Sequence, residues 1–449
     1  MTKLTLAPNR DSVPRYTSYP TAPHFYPIAE GVAEEKLRLF AKSDRPLSIY
    51  MHIPFCRSMC LFCGCSVLLN RRPETVSSYV DLLIQEIGLV RGVLQKKRRV
   101  AQIHLGGGTP TSLSIADFRK LFGVLREAFE LEELSIEVDP RGVFADKGEQ
   151  LTALRELGFY RASFGVQDLD PAVQEVVRRR QSEEMSRFAY QKARELGFSE
   201  INLDLIYGLP LQTPERFSET AREIAAWRPD RIALFGYAHV PWMKAHQKAL
   251  PEDHIPNLEG RQKLYAVAQE RFLQAGYEQI GMDHFALPGD SLARAARERT
   301  LVRNFQGYSP YYSDDLLGLG VTSVGHIADC YLQNVKTVEE YRDRLQKGIL
   351  PTFRGFDLKP DDLRRRWTVH RLMCQFILDK QLFYAIFGDH FDDYFTSEQE
   401  GLQDLETAGW LQVTREAVKV LELGQPWVRL IASRFDAHLS AGTAKYSRI

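Results

Sequence analysis

Short apolar runs alternate with longer amphipathic segments over residues 47–237. Each apolar run has the length of a β-strand and is rich in Ile, Leu, Val and Phe, as strands covered on both faces are. Each amphipathic segment has the spacing of an α-helix. The alternation predicts a parallel sheet built from right-handed βαβ units. The predicted strands are Leu47 to Ile53, Ala101 to Leu105, Leu134 to Val138, Tyr160 to Val166, Ile201 to Tyr207 and Arg231 to Tyr237.

Helix-end signals support the intervening helices. Thr213 is the expected N-cap of the last helix, with Pro214 at its first position, and Gly158 and Gly197 are expected C-caps. The predicted helices are Val76 to Leu94, Ile115 to Phe129, Gln150 to Leu157, Glu183 to Leu196 and Pro214 to Trp227.

Six βα units are too few to close an eight-stranded barrel. We therefore predict an α/β fold with a partial, open (β/α)6 barrel of the TIM type. An open, doubly wound sheet is the competing interpretation. In a barrel of this kind the functional residues lie at the C-terminal ends of the strands, and nearly every predicted strand ends in a Gly, Pro, Cys or carboxylate cluster.

The rest of the chain differs from this pattern. Residues 1–35 are rich in Pro and Tyr, and we expect an N-terminal arm there. Residues 36–356 form the predicted main α/β domain, and residues 357–449 form a smaller, mostly helical domain. The further predicted elements are helices at Leu258 to Ala275, Pro360 to Leu378, Phe395 to Thr407 and Gln425 to Leu439, a strand at Tyr277 to Ile280, and a hairpin of Trp410 to Val413 with Ala417 to Leu421.

Composition narrows the classes of function. The 449 residues carry 58 Lys and Arg against 58 Asp and Glu, so the formal net charge is zero and no basic excess favours nucleic-acid binding. No window reaches the roughly 18 apolar residues of a membrane-spanning helix. The N-terminus lacks the apolar run of a signal peptide. We expect a soluble, cytoplasmic protein.

Four of the six cysteines fall within residues 56–65, in the spacing Cys-x3-Cys-x2-Cys-x-Cys. The segment directly follows the first predicted strand, so it forms a loop over the mouth of the sheet. Thiolates are the ligands of iron–sulfur clusters, and three on one loop can hold three irons of a [4Fe–4S] cluster. A structural zinc site that uses all four thiols is the alternative, although this spacing is not the usual zinc-knuckle pair.

Two motifs together resemble the radical S-adenosylmethionine (radical SAM) superfamily. The first is the Cys56, Cys60 and Cys63 spacing with an aromatic residue, Phe62, before the last cysteine. The second is the run Gly106-Gly107-Gly108-Thr109-Pro110 at the end of the second strand, where glycines let the backbone approach a cofactor. The resemblance implies that residues 36–356 are a radical SAM catalytic domain.

The chain is more closely similar to the oxygen-independent coproporphyrinogen III dehydrogenases of haem synthesis, essentially from end to end. The Cys-Gly-Cys ending at Cys65 and the Asn304-to-Tyr308 segment are the most specific pieces. The others are Arg15 to Pro20, Ile136 to Pro140, Gly165 to Asp168, Asp204 to Pro210, Tyr237 to His239, Gly281 to Ala286 and Tyr446 to Ile449.

This resemblance implies a reaction, its cofactors and its partners. Two propionate side chains of a tetrapyrrole lose CO2 and become vinyl groups. The expected cofactors are a [4Fe–4S] cluster and two molecules of S-adenosylmethionine, one of which is cleaved to a 5′-deoxyadenosyl radical that abstracts hydrogen. An electron donor and a terminal electron acceptor are required, and the family suggests a monomer. The arm and the helical domain are expected to close the barrel around the radical.

The resemblance also implies site residues. Cys65 is expected to be a free thiol that is required for turnover, and His52 a proton or hydrogen-bond partner. A substrate with four carboxylates needs cationic partners, which neither the sequence nor the resemblance singles out; Arg15, His284 and Arg303 are guesses, and a structural role is the alternative for each. The cluster ligands are Cys56, Cys60 and Cys63. The first S-adenosylmethionine corresponds to Tyr50, Gly107, Glu137 and Val324, and the second to Phe62, Gly108, Thr109, Gln167, Arg179, Asp204 and Ala238.

Three other functions compete with this one. A relative that uses two S-adenosylmethionines for methylation or cyclopropanation shares the chemistry, but the full-length match argues against it. A related haem chaperone carries the cluster loop, but it has an aromatic residue in place of Cys65 and lacks the Arg15-to-Pro20 segment. A zinc-stapled barrel would be colourless as purified without oxygen.

Overall fold

A computed structural model describes residues 13–70, 72–310 and 314–439 of the chain. The family motif predicted at Tyr446 to Ile449 therefore lies outside the described residues. No helix among the described residues is long and apolar enough to cross a membrane.

The chain divides into two compact units, each discontinuous in sequence. The barrel unit comprises Tyr26–Tyr277 and Ser313–Asp357. The helical unit comprises Met1–Phe25, Glu278–Tyr312 and Leu358–Ile449. The division of the chain after residues 35 and 356 remains a prediction about domains.

The barrel unit contains six consecutive parallel strands that lie side by side in chain order. This order confirms the predicted partial (β/α)6 barrel. The doubly wound sheet is wrong, because in that fold the strand order reverses about a switch point. The strands are β1 (Leu47–Ile53), β2 (Arg98–Gly107), β3 (Phe129–Val138), β4 (Arg161–Gln167), β5 (Glu200–Tyr207) and β6 (Arg231–Gly236).

The other edge of β1 continues the sheet with strands that the sequence did not predict. β7 pairs parallel with β1, and β8, β9 and β10 follow as an antiparallel meander. The short strand Tyr26–Pro27 covers the edge of β10. The bounds are β7 (Asp315–Leu319), β8 (Val324–Ile327), β9 (Cys330–Asn334) and β10 (Thr352–Asp357).

The predicted helices of the barrel unit are present with bounds close to those expected, although the first begins at Pro73 rather than Val76 and four others were not predicted. The side chain of Thr213 accepts a hydrogen bond from the Arg216 N–H, and Gly158 and Gly197 have the positive φ of C-caps. Ser114 and Asp117 form a capping box that the sequence reading missed. The helices are α1 (Val32–Ala41), α2 (Pro73–Leu94), α3 (Ile115–Ala128), α4 (Pro140–Ala145), α5 (Glu149–Glu156), α6 (Pro171–Val176), α7 (Glu183–Glu195), α8 (Pro214–Trp227), α9 (Leu258–Gln274) and α10 (Val338–Gln346).

The helical unit confirms the predicted C-terminal hairpin and corrects three helices. Strands Leu411–Val413 and Ala417–Val420 pair antiparallel, and Ile377–Asp379 joins as a third strand. The helix predicted from Pro360 to Leu378 therefore ends at Gln375, where Phe376 takes a left-handed conformation. The helix predicted from Phe395 is interrupted at Gly401, and the last helix is shorter than predicted because Pro426 lies in a preceding 3-10 turn. Its helices are Ser291–Arg297, Pro360–Gln375, Lys380–Phe387, Phe391–Tyr394, Thr396–Glu400, Gln403–Thr407 and Val428–Ser433, and its other strands are Glu278–Ile280, His284–Ala286, Val302–Asn304 and Gly307–Ser309.

Residues 13–25 of the N-terminal arm are part of the core of the helical unit. Tyr16 and Tyr19 are buried. The Tyr16 hydroxyl donates to Asp436 Oδ2 at 2.9 Å, and the Tyr19 hydroxyl accepts from the Ala437 N–H at 3.1 Å. Arg429 Nε donates to the Pro14 carbonyl at 3.0 Å. These bonds tie the arm to the C-terminal segment of the same unit.

A buried carboxylate joins α2 to the β7–β9 region of the barrel unit. Glu86 accepts hydrogen bonds from the Gly320 N–H at 2.7 Å, from Asn334 Nδ2 at 2.7 Å and from the Tyr341 hydroxyl. Burial nevertheless raises the pKa of Glu86 to about 7, against the lowering effect of these bonds. In the folded protein Glu86 therefore keeps its proton up to near neutral pH.

This carboxyl group makes the stability of the barrel unit depend on pH. An unfolded Glu loses its proton near pH ~4.3, so the unfolded state binds fewer protons than the folded state between there and about pH 7. The free energy of unfolding should then fall by up to about 3 kcal/mol as pH rises through that window. We expect Glu86→Gln to remove this dependence, as measured by urea unfolding at a series of pH values.

Glu74→Gln is the matched control, because Glu74 is exposed at the start of the same helix. It should leave the pH dependence of unfolding as it is in the parent protein. Parallel pH profiles for the parent and Glu86→Gln would contradict the assignment.

Candidate active site

A cavity of about 260 Å³ lies at the C-terminal ends of the barrel strands. All six strands, or the segments that follow them, contribute to its wall, as expected for the mouth of an α/β barrel. Most of the predicted site residues meet there. The predicted residues that line it are Cys56, Cys60, Phe62, Cys63, Cys65, Gly107, Gly108, Thr109, Glu137, Gln167, Arg179 and Asp204.

The cysteine loop crosses this cavity directly after β1. Cys56 lies in a short strand that pairs parallel with Leu68–Leu69, which closes the base of the loop. Cys56 Sγ lies 3.3 Å from Thr109 Oγ1, and Cys60 Sγ accepts from Arg179 Nη1 at 3.5 Å. Burial raises the pKa of the Cys56 thiol to about 11. All of these contacts lie on the cavity side of the loop.

The donor set fits an iron–sulfur cluster. The thiols of Cys56, Cys60 and Cys63 share one cavity wall, and soft thiolates are the ligands that iron–sulfur clusters use. Among the residues that the structure describes, no three His, Cys, Asp or Glu side chains are grouped as ligands of a single metal ion. A cluster takes one thiolate at each of three irons. Its ligands therefore lie along one cavity wall and do not converge on a single metal ion.

The loop that follows β6 holds the cysteine loop by its carbonyl groups. Lys244 Nζ donates to the Cys65 carbonyl at 2.8 Å, and His246 Nε2 donates to the Cys63 carbonyl at 2.8 Å. Gln247 Nε2 donates both to the Phe62 carbonyl at 3.0 Å and to the Ala238 carbonyl at 3.2 Å. Sequence reasoning missed these three residues, because no local spacing links them to a loop about 180 positions earlier.

The glycine run at the end of β2 packs closely against the end of β1 and the residues that follow it. Gly107 has φ +114°, and a Cβ there would lie 2.5 Å from His52 Cε1. A Cβ on Gly108 would lie 2.7 Å from the carbonyl of Pro54. Any side chain at these two positions would push the strand end away from the cysteine loop.

Glu137 connects the glycine run to β3. Its Oε2 accepts from the Gly107 N–H at 3.0 Å, and Oε1 lies 3.5 Å from His104 Nε2. Burial opposes ionisation, but the hydrogen bond and charge of His104 and the Gly107 N–H outweigh it, so the pKa of Glu137 lies below its ordinary value. Glu137 therefore brings a carboxylate to the cavity wall.

His52 lies beneath this wall with both ring nitrogens occupied. Nε2 donates to the Ser66 carbonyl at 2.9 Å, which leaves Nδ1 to accept from the Tyr50 hydroxyl at 3.0 Å. Burial lowers the pKa of His52, so the ring is neutral. Neither His52 nor Tyr50 lines the cavity, and the catalytic role of His52 stays a prediction.

Three further ionisable residues line the cavity: Arg179, Asp139 and Asp204. Arg179 Nη2 donates to the Gly165 carbonyl at 2.5 Å and lies 3.9 Å from Asp139 Oδ1. Burial opposes ionisation of Asp139, but Arg179 and Arg141 together lower its pKa to about 2. Sequence reasoning did not select Asp139 and Arg141, although Asp139 lies in the family motif that ends at Pro140.

Asp204 differs from Asp139 because its pKa lies above the ordinary value. It accepts from Asn202 Nδ2 at 2.6 Å and from Ser163 Oγ at 3.1 Å. Burial, followed by the nearby charge of Glu137, raises the pKa of Asp204 to about 7. Asp204 can therefore donate a hydrogen bond as well as accept one near neutral pH.

Gln167 and Val324 are placed by irregular backbone. Gln167 follows a bulge at the end of β4 and has φ +70°, a strained conformation of the kind that clusters at functional sites. Val324 begins β8, where its carbonyl carbon would be 2.9 Å from a Cβ on Gly318. Gly318 in turn pairs with Tyr50 on β1. Val324 and Ala238 stay predictions as cofactor contacts.

Two of the suggested substrate partners are engaged within the helical unit. Arg303 Nη2 lies 3.2 Å from Asp283 Oδ2, and His284 Nδ1 lies 2.7 Å from Asp283 Oδ1. The guanidinium of Arg303 also stacks 4.5 Å above the ring of Tyr308. These contacts favour a structural role for both residues.

Comparison with known proteins agrees with this geometry. A family model described as the Radical SAM superfamily matches residues 50–224. The oxygen-independent coproporphyrinogen III oxidase of Escherichia coli K12 is 41% identical over 98% of this chain and 96% of its own length. The oxidase of the same name from Synechocystis is 40% identical over 95% and 93%.

A solved structure matches over nearly the whole chain as well. It is described as the coproporphyrinogen III oxidase HemN of Escherichia coli, a radical SAM enzyme. The TM-score is 0.90 at 40% identity, with 95% of this chain and 98% of that chain covered. The chain therefore belongs to the radical SAM superfamily and, within it, to the family of the oxygen-independent coproporphyrinogen III oxidases.

Proposed function

We propose that this protein is an oxidoreductase of haem biosynthesis that converts two propionate side chains of coproporphyrinogen III to vinyl groups without oxygen, giving protoporphyrinogen IX. One observation carries the proposal: three thiols, a glycine run and the Glu137 carboxylate share one barrel-mouth cavity, in a chain that matches the coproporphyrinogen III oxidases along its length. The radical SAM family implies a [4Fe–4S] cluster and S-adenosylmethionine.

The reaction explains why a cofactor is needed. The β carbon of a propionate carries an unactivated C–H bond, which no side-chain base can deprotonate. When bound, the cluster supplies the electron that splits S-adenosylmethionine into methionine and the radical that removes this hydrogen. The protein contributes placement, charge partners and exclusion of water.

The residues at the β1, β2 and β3 ends would hold the first S-adenosylmethionine beside the cluster. Cys56, Cys60 and Cys63 would bind the cluster. Glycine at position 107 lets the backbone reach the cofactor, and the Glu137 carboxylate can accept hydrogen bonds from ribose hydroxyls. Tyr50 and Val324 would support this position from the neighbouring strands.

We further propose that a second S-adenosylmethionine occupies the opposite part of the cavity. Arg179 offers a guanidinium to a carboxylate, and Asp204 can pair with hydroxyls or an amino group. Phe62, Gly108, Thr109, Gln167 and Ala238 would complete this position. The support is that the two charged residues line the same cavity as the cysteine loop.

Cys65 is proposed to act as a thiol rather than as a cluster ligand. It lines the cavity one residue beyond Gly64, next to the last of the three proposed ligands. There it could pass a hydrogen atom or proton to the reacting centre, with His52 as a neutral partner below.

The partners follow from the chemistry. The enzyme needs an electron donor for the cluster and a terminal electron acceptor for the substrate electron that leaves with each decarboxylation. None of the described cysteines forms a disulfide, which supports the cytoplasmic location that we propose. We propose a monomer.

The decisive experiment is an anaerobic assay of the reconstituted enzyme with reductant, S-adenosylmethionine, coproporphyrinogen III and an acceptor source. We expect protoporphyrinogen IX to form in step with 5′-deoxyadenosine. Cleavage of the cofactor without any change in the porphyrinogen would overturn the substrate assignment. A methylated or cyclopropanated product would instead favour the other radical SAM relatives.

Cys65→Ser tests the role of that thiol. Because Cys65 is not a proposed ligand, the variant should keep its brown cluster and its iron content but lose porphyrinogen turnover by at least about a hundredfold, the loss typical of a missing acid or base. Cys63→Ser should lose the cluster itself. Full turnover in Cys65→Ser would remove the catalytic role.

Gly107→Ala tests the close backbone approach. The added Cβ meets the His52 ring, so the β2 end must shift, and we expect binding of S-adenosylmethionine to weaken by about tenfold or more. Gly123→Ala in α3 is the control, since nothing lies within 4 Å of a Cβ there. Equal affinities in the two variants, measured by equilibrium dialysis, would count against the proposed cofactor position.

Arg179→Gln tests the second cofactor position. With its guanidinium lost, the amount of labelled S-adenosylmethionine bound per chain should fall from two towards one, while cluster content stays unchanged. Arg178→Gln is the matched control, because the neighbouring side chain is exposed and outside this cavity. A stoichiometry of one in the parent protein would refute the second site.

A further inference from the structure

A second cavity lies on the outer face of the cysteine loop. It has a volume of about 480 Å³, and three exposed arginines line it: Arg57, Arg72 and Arg178. Leu69, Ser58 and Met59 also contribute to its wall. We call it the arginine groove. Neither the cofactor positions nor the substrate chemistry proposed above uses it.

The groove is separated from the active-site cavity by very little protein. Ser58 and Met59 line both cavities, so the segment between Cys56 and Cys60 is the shared wall. Two proposed cluster ligands flank this segment directly. A molecule bound in the groove would therefore be separated from the proposed cluster only by the segment that contains Ser58 and Met59.

The groove is also a local concentration of positive charge. The whole chain has zero formal net charge, yet three guanidinium groups face one concave surface. The backbone of Arg178 has φ +54°, and the next side chain, Arg179, turns inward to Cys60 while Arg178 stays exposed. Arg179 therefore serves the inner cavity and Arg178 the outer one.

Apolar surface accompanies the charge. Leu68 and Leu69 are 43% and 58% exposed on the short strand that closes the base of the cysteine loop. An exposed apolar strip beside a charged rim is the composition of a small, transient protein interface, and electron-transfer encounters are at the small end of the size range.

We propose that the arginine groove is the docking surface of an acidic one-electron carrier protein that reduces the cluster. The inference rests on the proposed function, because only a cluster enzyme needs such a partner. In each encounter the carrier is oxidised by one electron and the cluster is reduced by one, and no bond to the carrier forms. Opposite charges steer the carrier to the groove and orient it against Ser58 and Met59.

The tetrapyrrole carboxylates are the competing occupant, since they also seek cations. The substrate must reach the radical, which arises on the inner side of the loop, whereas the groove opens on the outer side. Its position relative to Ser58 and Met59 therefore favours the carrier.

The first test measures binding directly. The reconstituted enzyme is titrated with an acidic flavodoxin as the probe, at low and high ionic strength. We expect affinity to fall steeply with salt, and the charge-reversal variant Arg72→Glu/Arg178→Glu to bind about tenfold or more weakly at low salt. Arg342→Glu, an exposed arginine on α10, is the matched control and should bind as the parent does.

The second test compares two reductants without any porphyrinogen present. The rate of cluster reduction by reduced flavodoxin is divided by the rate with dithionite, which needs no docking. This ratio should fall about tenfold in the double variant and stay constant in the control. Because damage to the cluster would slow both rates, an unchanged ratio overturns the proposal.

A third measurement separates the competing occupant. An increase in the KM for coproporphyrinogen III in the double variant, with flavodoxin binding intact, would assign the groove to the substrate instead. The two reductant rates do not depend on the tetrapyrrole, so failure of the docking proposal is distinguishable from failure of the proposed function.

Discussion

The site depends on how closely the ends of β1 and β2 approach each other. At Gly107 and Gly108 a single added carbon would lie 2.5 Å from the His52 ring and 2.7 Å from the Pro54 carbonyl. That proximity lets one short segment present its N–H to Glu137 while the Gly108 N–H bonds the Ile53 carbonyl at 2.8 Å. The cysteine loop begins directly after the end of β1, so the position of its first residues is fixed by the same close packing. The proposed cofactor contacts and cluster ligands thus lie at neighbouring strand ends.

Rigidity at this point is reinforced from behind. The hydroxyl of Tyr79, on α2, donates to the His52 carbonyl at 2.9 Å and accepts from the Val321 N–H at 2.9 Å. About two helical turns further along the same helix, the Glu86 carboxyl group accepts hydrogen bonds from Gly320, Asn334 and Tyr341. Satisfied buried polar networks of this kind specify one arrangement of a core. The outer meander therefore does more than cover an edge, because it fixes the strand end that carries the cysteine loop.

The sequence could predict what is local or periodic, and it missed what is brought together only by the fold. Strand and helix alternation, the Thr213 cap and the cysteine spacing each lie within a few residues, so their patterns indicated the barrel and the loop. The family resemblance brought in Glu137, Gln167 and Asp204, which do line the cavity. Gln247 was missed because its contact with the Phe62 carbonyl spans 185 positions in the chain. The helix predicted from Gln425 begins only at Val428, because Pro426 lies in a preceding 3-10 turn.

The two faces of the cysteine loop differ in charge, and the difference follows from one turn of the backbone. On the inner face Arg179 is balanced by Asp139, whose pKa is about 2, so the cavity holds paired charges that can exchange partners for a zwitterionic cofactor. On the outer face Arg178 lies beside Arg57 and Arg72 around one open groove. A buried charge must be paired, whereas exposed guanidinium groups can attract an acidic partner at a distance through solvent. The two consecutive arginines thus have different proposed roles. Arg179 orders the cavity where the radical would form, and Arg178 helps the outer surface to attract an acidic electron donor.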